Sequence, residues 1–186
     1  MQLGFYFDQT RCSNCLTCVV ACKDWHNIPE GPIFWRRVIT LEEGQYPNPS
    51  VSFLSTSCCH CADPPCVSGC PEEAISKRDS DGIVVVDTVA CLGKDQCGIC
   101  RETCPYGAPQ FGSKTDAKMQ KCNLCVDRWK EGKKPICVEA CPMRALDAGP
   151  LDELKSKYGP NREARGFHVF DGTTPSIICK SKGLNS

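Results

Sequence analysis

CCHCADPPCVSGCPEEAISKRDSDGIVVVDTVACLGKDQCGICRETCP, residues 58–105, carries two runs of cysteines on either side of a hairpin signal. The first run is Cys58, Cys61, Cys66 and Cys70, spaced C-x2-C-x4-C-x3-C and followed by Pro71. The second is Cys91, Cys97, Cys100 and Cys104, spaced C-x5-C-x2-C-x3-C and followed by Pro105. Between them AISKRDSDGIVVVD reads as two short strands around Asp79, Ser80, Asp81 and Gly82, the residue types that turn a backbone round on itself. The predicted order is ligand loop, short helix, hairpin, ligand loop.

Outward from this stretch the pattern recurs on both sides. Cys12, Cys15, Cys18 and Cys22 are spaced C-x2-C-x2-C-x3-C, and Cys122, Cys125, Cys137 and Cys141 precede Pro142. Of the 18 cysteines, Cys59 and Cys179 alone stand outside the four sets; Cys59 is read as a spare and Cys179, in SIICKSK, as a strand residue. Several thiolates on one short loop and a distal cysteine before proline is the bacterial ferredoxin run, in which the distal residue ligates the other cluster of a pair. Proline there pushes the residue before it to extended backbone and turns it out of the preceding turn. The sequence therefore predicts four [4Fe-4S] clusters. The fold class it predicts is α+β, small and loop-rich, with two bacterial-ferredoxin-like double-cluster modules, an insertion and a C-terminal tail.

Two other uses of cysteine compete. A disulfide scaffold suits a short secreted chain, but MQLGFYFDQTRC has no basic start, apolar run or small-residue cleavage site. Cysteines grouped on one loop also reach a shared metal more readily than distant partners. Structural zinc would use two C-x2-C knuckles. A third thiolate between knuckles, as in Cys12, Cys15 and Cys18, has no use at tetrahedral zinc, whereas a cubane offers three corners to one loop and its fourth to a remote residue. His60, inside C-C-H-C, is read as a spacer because its set is complete without it.

The 186 residues allow one domain or two small ones. Apolar residues make up 41%, falling to roughly 31% once cysteine is set aside, thin for a packed globule. Clusters are expected to replace the missing core, so the apo chain should be largely unfolded. With 22 basic and 22 acidic residues, no net field invites nucleic acid or an anionic membrane surface. The densest basic stretch, residues 128–134, is interrupted by Glu131 and reads as a solvated loop. No apolar run approaches the roughly twenty residues of a membrane helix. G-x-G-x-x-G, Walker, H-E-x-x-H and G-x-S-x-G patterns are missing too, so the expected role is non-catalytic.

Along the chain, LGFYFD (residues 3–8) reads as a strand entering the first set, RRVITLE (36–42) as a second strand and QYPNPS (45–50) as a loop. VDRWKEGKKPI (126–136) reads as a short helix stopped by Gly132 and Pro135, and GPLDELKSKYG (149–159) as a surface helix with proline in its first turn. The expected organisation is an outer module, 1–27 with 113–147, from the first and fourth sets; an insertion, 28–52; an inner module, 53–112, from the second and third sets; and a helix with a docking tail, 148–186. The last twenty residues carry few apolar anchors, as a tail lying on another chain would. Trp25, Tyr106, Phe111 and Trp129 are read as packing around the clusters. His26 and His168 are given local structural roles.

CSNCLTCVVACKDW, CCHCADPPCVSGCPEEAI, CGICRETCPYGAPQF and CNLCVDRWKEGKKPICVEACPMRALDAGPLDELK resemble the four-cluster iron-sulfur subunit of dimethyl sulfoxide reductase-type molybdopterin oxidoreductases, over residues 4–159. The resemblance implies a non-catalytic subunit that carries electrons between a large molybdopterin or tungstopterin catalytic subunit and either an integral-membrane quinone-reactive subunit or a soluble redox partner. A tungsten-dependent aldehyde oxidoreductase is an alternative host. It implies four ligand groups: Cys12, Cys15 and Cys18 with Cys141; Cys122, Cys125 and Cys137 with Cys22; Cys58, Cys61 and Cys66 with Cys104; and Cys91, Cys97 and Cys100 with Cys70. The third set departs from the family's C-x2-C-x2-C by three inserted residues, so a [3Fe-4S] or altered cluster is the alternative there. A freestanding polyferredoxin and a zinc-organised interaction module are the competing functions. Neutral charge and the long insertion favour a docked subunit. Without a signal of its own, the chain is expected either in the cytoplasm or co-exported with a signal-bearing partner, peripheral to the membrane.

Overall fold

The computed structural model describes residues 1–183. In chain order the elements are β1 (Leu3–Asp8), α1 (Thr17–Trp25), β2 (Arg37–Glu43), β3 (Ser50–Thr56), α2 (Pro65–Ser68), β4 (Ile75–Lys77), β5 (Val84–Val86) and α3 (Ile99–Thr103). There follow β6 (Gln110–Phe111), β7 (Met119–Gln120), α4 (Val126–Lys130), α5 (Ile136–Glu139), β8 (Leu146–Pro150), α6 (Leu151–Tyr158) and β9 (Ile177–Lys180). The fold is α+β and loop-rich. Its largest sheet has three strands in the order β8-β1-β9, and β2-β3, β4-β5 and β6-β7 form three separate two-stranded pairs.

LGFYFD forms the centre of the sheet because both of its faces have something to cover. Leu3, Phe5 and Phe7 share one side and enter the main core, while Tyr6 points the other way onto Leu151, Leu154 and Ile178. There α6 lies across the strands, and the rings of Tyr6 and Tyr158 stack 3.6 Å apart. β1 runs antiparallel to β8, with Phe5 opposite Ala148, and parallel to β9, with Phe5 opposite Ile177. Gly4 is required at this crossing: a Cβ there would stand 2.3 Å from the carbonyl oxygen of Ser176.

The parallel pairing gives the C-terminal segment a place in the chain's own core as far as the described residues extend. Phe167, Ile177, Ile178 and Cys179 are buried, and the segment closes on its own chain. Ser176 N–H donates to Cys59 O at 3.0 Å, and Ala62 N–H to Thr174 O at 2.7 Å. Its anchors were few but sufficient, since four residues of strand satisfy their backbone groups on the open side of β1. The helix from 151 is likewise half a core element, burying Leu151 and Leu154.

The basic stretch 128–134 is also not simply solvated. Lys130, Glu131 and Lys133 are exposed, but Arg128 is buried. Its guanidinium pairs with Glu139, donates to Lys134 O at 2.7 Å and lies 4.5 Å from the Trp25 ring centroid. Trp25 is correspondingly a surface lid, 40% exposed, with its indole N–H on Asp127 at 2.8 Å, rather than packing material. Trp129, Tyr106 and Phe111 do pack against the core.

The core falls into a large cluster and a smaller one built from Cys66, Ile75, Val84, Cys100 and Met119. Met119 on β7 and Phe111 on β6 close the smaller cluster, so residues past 113 contribute to it. The large cluster contains Cys58 and Cys61 together with Cys18, Cys122 and Cys137, and Cys104 packs against it, so cysteines of all four sets meet at one interior.

Asp147 on β8 ties α6 and the preceding loop to the sheet. Tyr158 Oη donates to its carboxylate at 2.7 Å and Lys157 Nζ at 3.2 Å, and Lys134 pairs with the other oxygen. Burial pushes this carboxyl up, but those donors and the Ala148 N–H outweigh it and hold it at about 2, below the ordinary 3.8. A pKa lowered by folding contributes stability that is present above the unfolded value and lost as pH falls through the folded one. Asp147→Asn is expected to cost about 1–3 kcal/mol at neutral pH in an anaerobic denaturant titration, the gap to wild type narrowing only below about pH 4.

Candidate metal centres

None of the 18 cysteines is paired in a disulfide. Cys58, Cys61, Cys66 and Cys104 line one cavity, walled by Pro65, Pro105 and Tyr106; Cys59 also borders it, with its thiol donating to Ser57 O at 3.7 Å. Cys70, Cys91, Cys97 and Cys100 line a second, walled by Pro71, Ile75 and Phe111. Each cavity thus takes three thiols from one sequence set and the distal thiol of the other. Cys91 reaches its cavity despite the three-residue insertion that separates it from Cys97.

The outer sets meet in the same crossed fashion. Burial pushes the Cys12 thiol up against a lowering backbone N–H from Asn14, and the facing charges of Cys18, Cys141 and Cys15 push it further. Cys22 is raised by burial and then by Cys122, Cys137 and Cys125. Cys61 and Cys66 are each pushed up to about 12, by burial first and by their neighbouring thiols. Four thiols that raise one another's pKa cannot all ionise without compensating positive charge in their midst, and the iron of a cluster is that charge. The donor set fits [4Fe-4S] clusters. No three His, Cys, Asp or Glu side chains among the described residues converge as ligands of one ion would. The thiols ring a space, as a polynuclear cluster needs and tetrahedral zinc does not.

The loops bend so that backbone N–H groups turn towards sulfur. Asn14, Leu16, Leu124 and Cys125 have left-handed backbone within the first and fourth sets. After the distal cysteines the sequence repeats C-P-x-x-A three times, at residues 70–74, 104–108 and 141–145. The residue before alanine is left-handed each time, Glu73, Gly107 and Arg144, and its N–H returns to the cysteine carbonyl at 3.2, 3.1 and 3.2 Å. All three alanines are buried, and Ala145 N–H lies 3.4 Å from Cys141 Sγ. A larger side chain would hold the backbone off the sulfur. Cys15 is the one exposed ligand candidate, its thiol lowered by the hydroxyl and N–H of Thr17.

Several residues near the thiols escaped the sequence reading. His60 is no spacer: fully buried with left-handed backbone, it accepts the Val84 N–H on Nδ1 at 3.0 Å, and its carbonyl takes Ser176 Oγ–H at 2.9 Å. It pins the second ligand loop to the hairpin and to the segment before β9. Burial, with the charges of Lys121 and Arg36 behind it, pushes its imidazole well below the ordinary value, so it stays neutral. His26 does more than structural work, since its Nε2 is 3.2 Å from Cys125 Sγ. A thiolate can only accept, so Nε2 donates. His26→Leu is expected to lower the potential of the centre at Cys125 by roughly 40 mV, the one-electron equivalent of about 1 kcal/mol, with the other three centres unchanged by potentiometric titration. Two buried cations, Arg36 and Lys121, complete the set. Cys59 borders the Cys58 cavity, and burial pushes Cys179 up to about 12, keeping it a neutral strand residue.

Residues 49–151 match the family described as a 4Fe-4S dicluster domain. The sequence is 44% identical to a chain of the anaerobic dimethyl sulfoxide reductase of Escherichia coli (strain K12), over 96% of this chain and 88% of that protein. It is 39% identical to the formate dehydrogenase iron-sulfur subunit of Wolinella succinogenes, over 82% and 84% of the two chains. A sulfite dehydrogenase subunit from Allochromatium vinosum is 35% identical, over 94% and 81%.

Proposed function

This protein belongs to the iron-sulfur subunits of the dimethyl sulfoxide reductase-type molybdopterin oxidoreductase family, and on that premise we propose how its residues hold and wire its centres. It is an electron-transfer subunit with [4Fe-4S] clusters. The proposed ligands are the sixteen set cysteines in four crossed groups: Cys12, Cys15, Cys18 and Cys141; Cys22, Cys122, Cys125 and Cys137; Cys58, Cys61, Cys66 and Cys104; and Cys70, Cys91, Cys97 and Cys100. The observation that carries this is the lining of the two inner cavities, where, Cys59 apart, three thiols of one set meet one of its neighbour. The division into an outer and an inner double-cluster module follows from the same crossing.

When bound, the clusters supply one-electron storage with no proton transfer or bond cleavage. The chain's part is to place and to tune. Prolines and aromatic rings around the inner cavities exclude water, backbone N–H groups of the C-P-x-x-A turns and His26 Nε2 donate to sulfur, and crossed distal cysteines hold paired sites close. The proposed partner is a large molybdopterin or tungstopterin catalytic subunit, with this chain supplying no catalytic group. A membrane quinone-reactive subunit or a soluble redox protein would take the other end of the electron path. No described helix is long and apolar enough to cross a membrane, so attachment to one would run through such a partner. A freestanding polyferredoxin is less favoured, because the relatives described are chains or subunits of enzymes.

Anaerobic purification tests the reading. About sixteen irons and matching acid-labile sulfide per chain, reducible in spectroscopy, are expected, with a large pterin-containing chain co-purifying. Stoichiometric zinc without sulfide would overturn it.

A further inference from the structure

Arg36 immediately precedes β2 and is 3% exposed. Nη1 donates to Ser55 Oγ at 3.1 Å and Nη2 to Ser57 Oγ at 3.0 Å, while Nε has no partner. The guanidinium lies over Phe5, 4.6 Å from the ring centroid. None of the ion pairs among the described residues includes it. A guanidinium never loses its proton in a protein, and a buried charge without a counter-charge costs several kcal/mol. Two hydroxyls do not cancel a full charge. Something anionic must face it.

The acidic groups that face it are ligand thiols. Ser55, which takes one Arg36 donor, has its Oγ 3.7 Å from Cys18 Sγ. Cys137, Cys18, Cys122 and Cys22 are the ionisable groups coupled to the guanidinium. They come from both outer ligand groups, and Ser55 links the guanidinium directly to Cys18. Lys121 stands comparably at the inner centre: its Nζ donates to the carbonyls of Val84 and Cys122, and it lines the Cys58 cavity.

We propose that Arg36 is the internal counter-cation of the outer pair, raising the reduction potentials of the two centres built on Cys18 and on Cys22, Cys122 and Cys137. The assignment rests on the ligand groups proposed above. A fixed positive charge favours the state that has gained one electron, and local charge is one of the terms that set a cluster's potential. Arg36 keeps its proton in both states, so the electron enters without proton uptake and the offset is the same across neutral and mildly alkaline pH. The planar fork of arginine holds its two donors apart on Ser55 and Ser57.

The test is a potentiometric titration of the iron-loaded full chain, wild type beside Arg36→Gln and Arg36→Lys. Outer-pair signals are identified by their loss in Cys12→Ser and Cys122→Ser. Arg36→Gln is expected to lower both outer potentials by at least a tenfold change in the reduction equilibrium, about 59 mV for one electron. The centre at Cys70, Cys91, Cys97 and Cys100 should be unmoved, and Arg36→Lys should recover most of the loss. If Arg36→Gln fails to assemble while Arg36→Lys assembles normally, the charge is again what the site requires. Unchanged potentials in Arg36→Gln, an equal shift at all four centres, or failure of both variants to assemble would overturn the assignment. A wild-type chain without four reducible clusters would instead sink the electron-transfer reading itself.

Discussion

Stripping iron from this chain is expected to abolish its fold rather than leave four open pockets. The smaller core cluster has Cys66 and Cys100 beside only Ile75, Val84 and Met119, and the large one buries Cys18, Cys58, Cys61, Cys122, Cys137 and Cys141. Around these sites α2, α3, α4 and α5 are four or five residues long, and the β4-β5 and β6-β7 pairs have strands of three and two. Helices that short do not persist in water, and two-stranded hairpins are marginal. Structural metal ligation is worth on the order of 10–16 kcal/mol for zinc sites of comparable donors, and a whole domain is stable by only about 5–15 kcal/mol. Losing even one or two centres would exceed the margin. After anaerobic chelation, far-ultraviolet circular dichroism should lose most native signal and limited proteolysis should open residues 58–141, with iron and sulfide restoring both. A cooperative thermal transition in the apo chain would refute this.

The cysteine runs around the inner cavities, the β4-β5 hairpin and the helix after residue 150 were legible because each rests on local chemistry: cysteine spacing, turn residues, proline and glycine at element ends; the β2-β3 and β6-β7 pairs were not. LGFYFD was legible as a strand for the same reason. Its partners were not, because LDAGP in β8 has no strand signal and β9 pairs with β1 only after the whole chain has come round. Arg36 and Arg37 show where sequence reading stops. They are adjacent and identical in type, yet Arg36 is buried facing thiols, while Arg37 is partly exposed and donates to the carbonyls of Tyr106 and Gly107. The difference lies in what surrounds each after folding, which no local pattern encodes. His26 and His60 fall under the same limit. The C-P-x-x-A repeat does not, since its three copies stand in the sequence, and at Cys141 it brings the Ala145 N–H to sulfur.

Replacing Cys104 by serine is expected to remove a ligand from the centre of Cys58, Cys61 and Cys66, and not from that of its own set. Only three residues separate Cys104 from Cys100, yet the two thiols line different cavities. The cause is local. Cys104 caps α3 with extended backbone, φ −90° and ψ 105°, as a residue before proline must. It therefore leaves the helix direction that Cys100 follows, and α2 packs against α3 so that each helix lies beside the other's cavity. Cys104→Ser should reproduce the spectroscopic change of Cys61→Ser, and Cys70→Ser that of Cys97→Ser, with iron falling by up to about four per chain in each if the centre is lost outright. Were the distal cysteines to serve their own sets, the correspondences would be exchanged, Cys104→Ser resembling Cys97→Ser. The crossing has an electronic consequence, because a distal ligand that must return three residues from its own loop to a neighbouring cavity leaves the two sites no room to separate. On the proposed ligand groups, the spacing C-x3-C-P both completes a ligand set and keeps the gap short across which an electron would move.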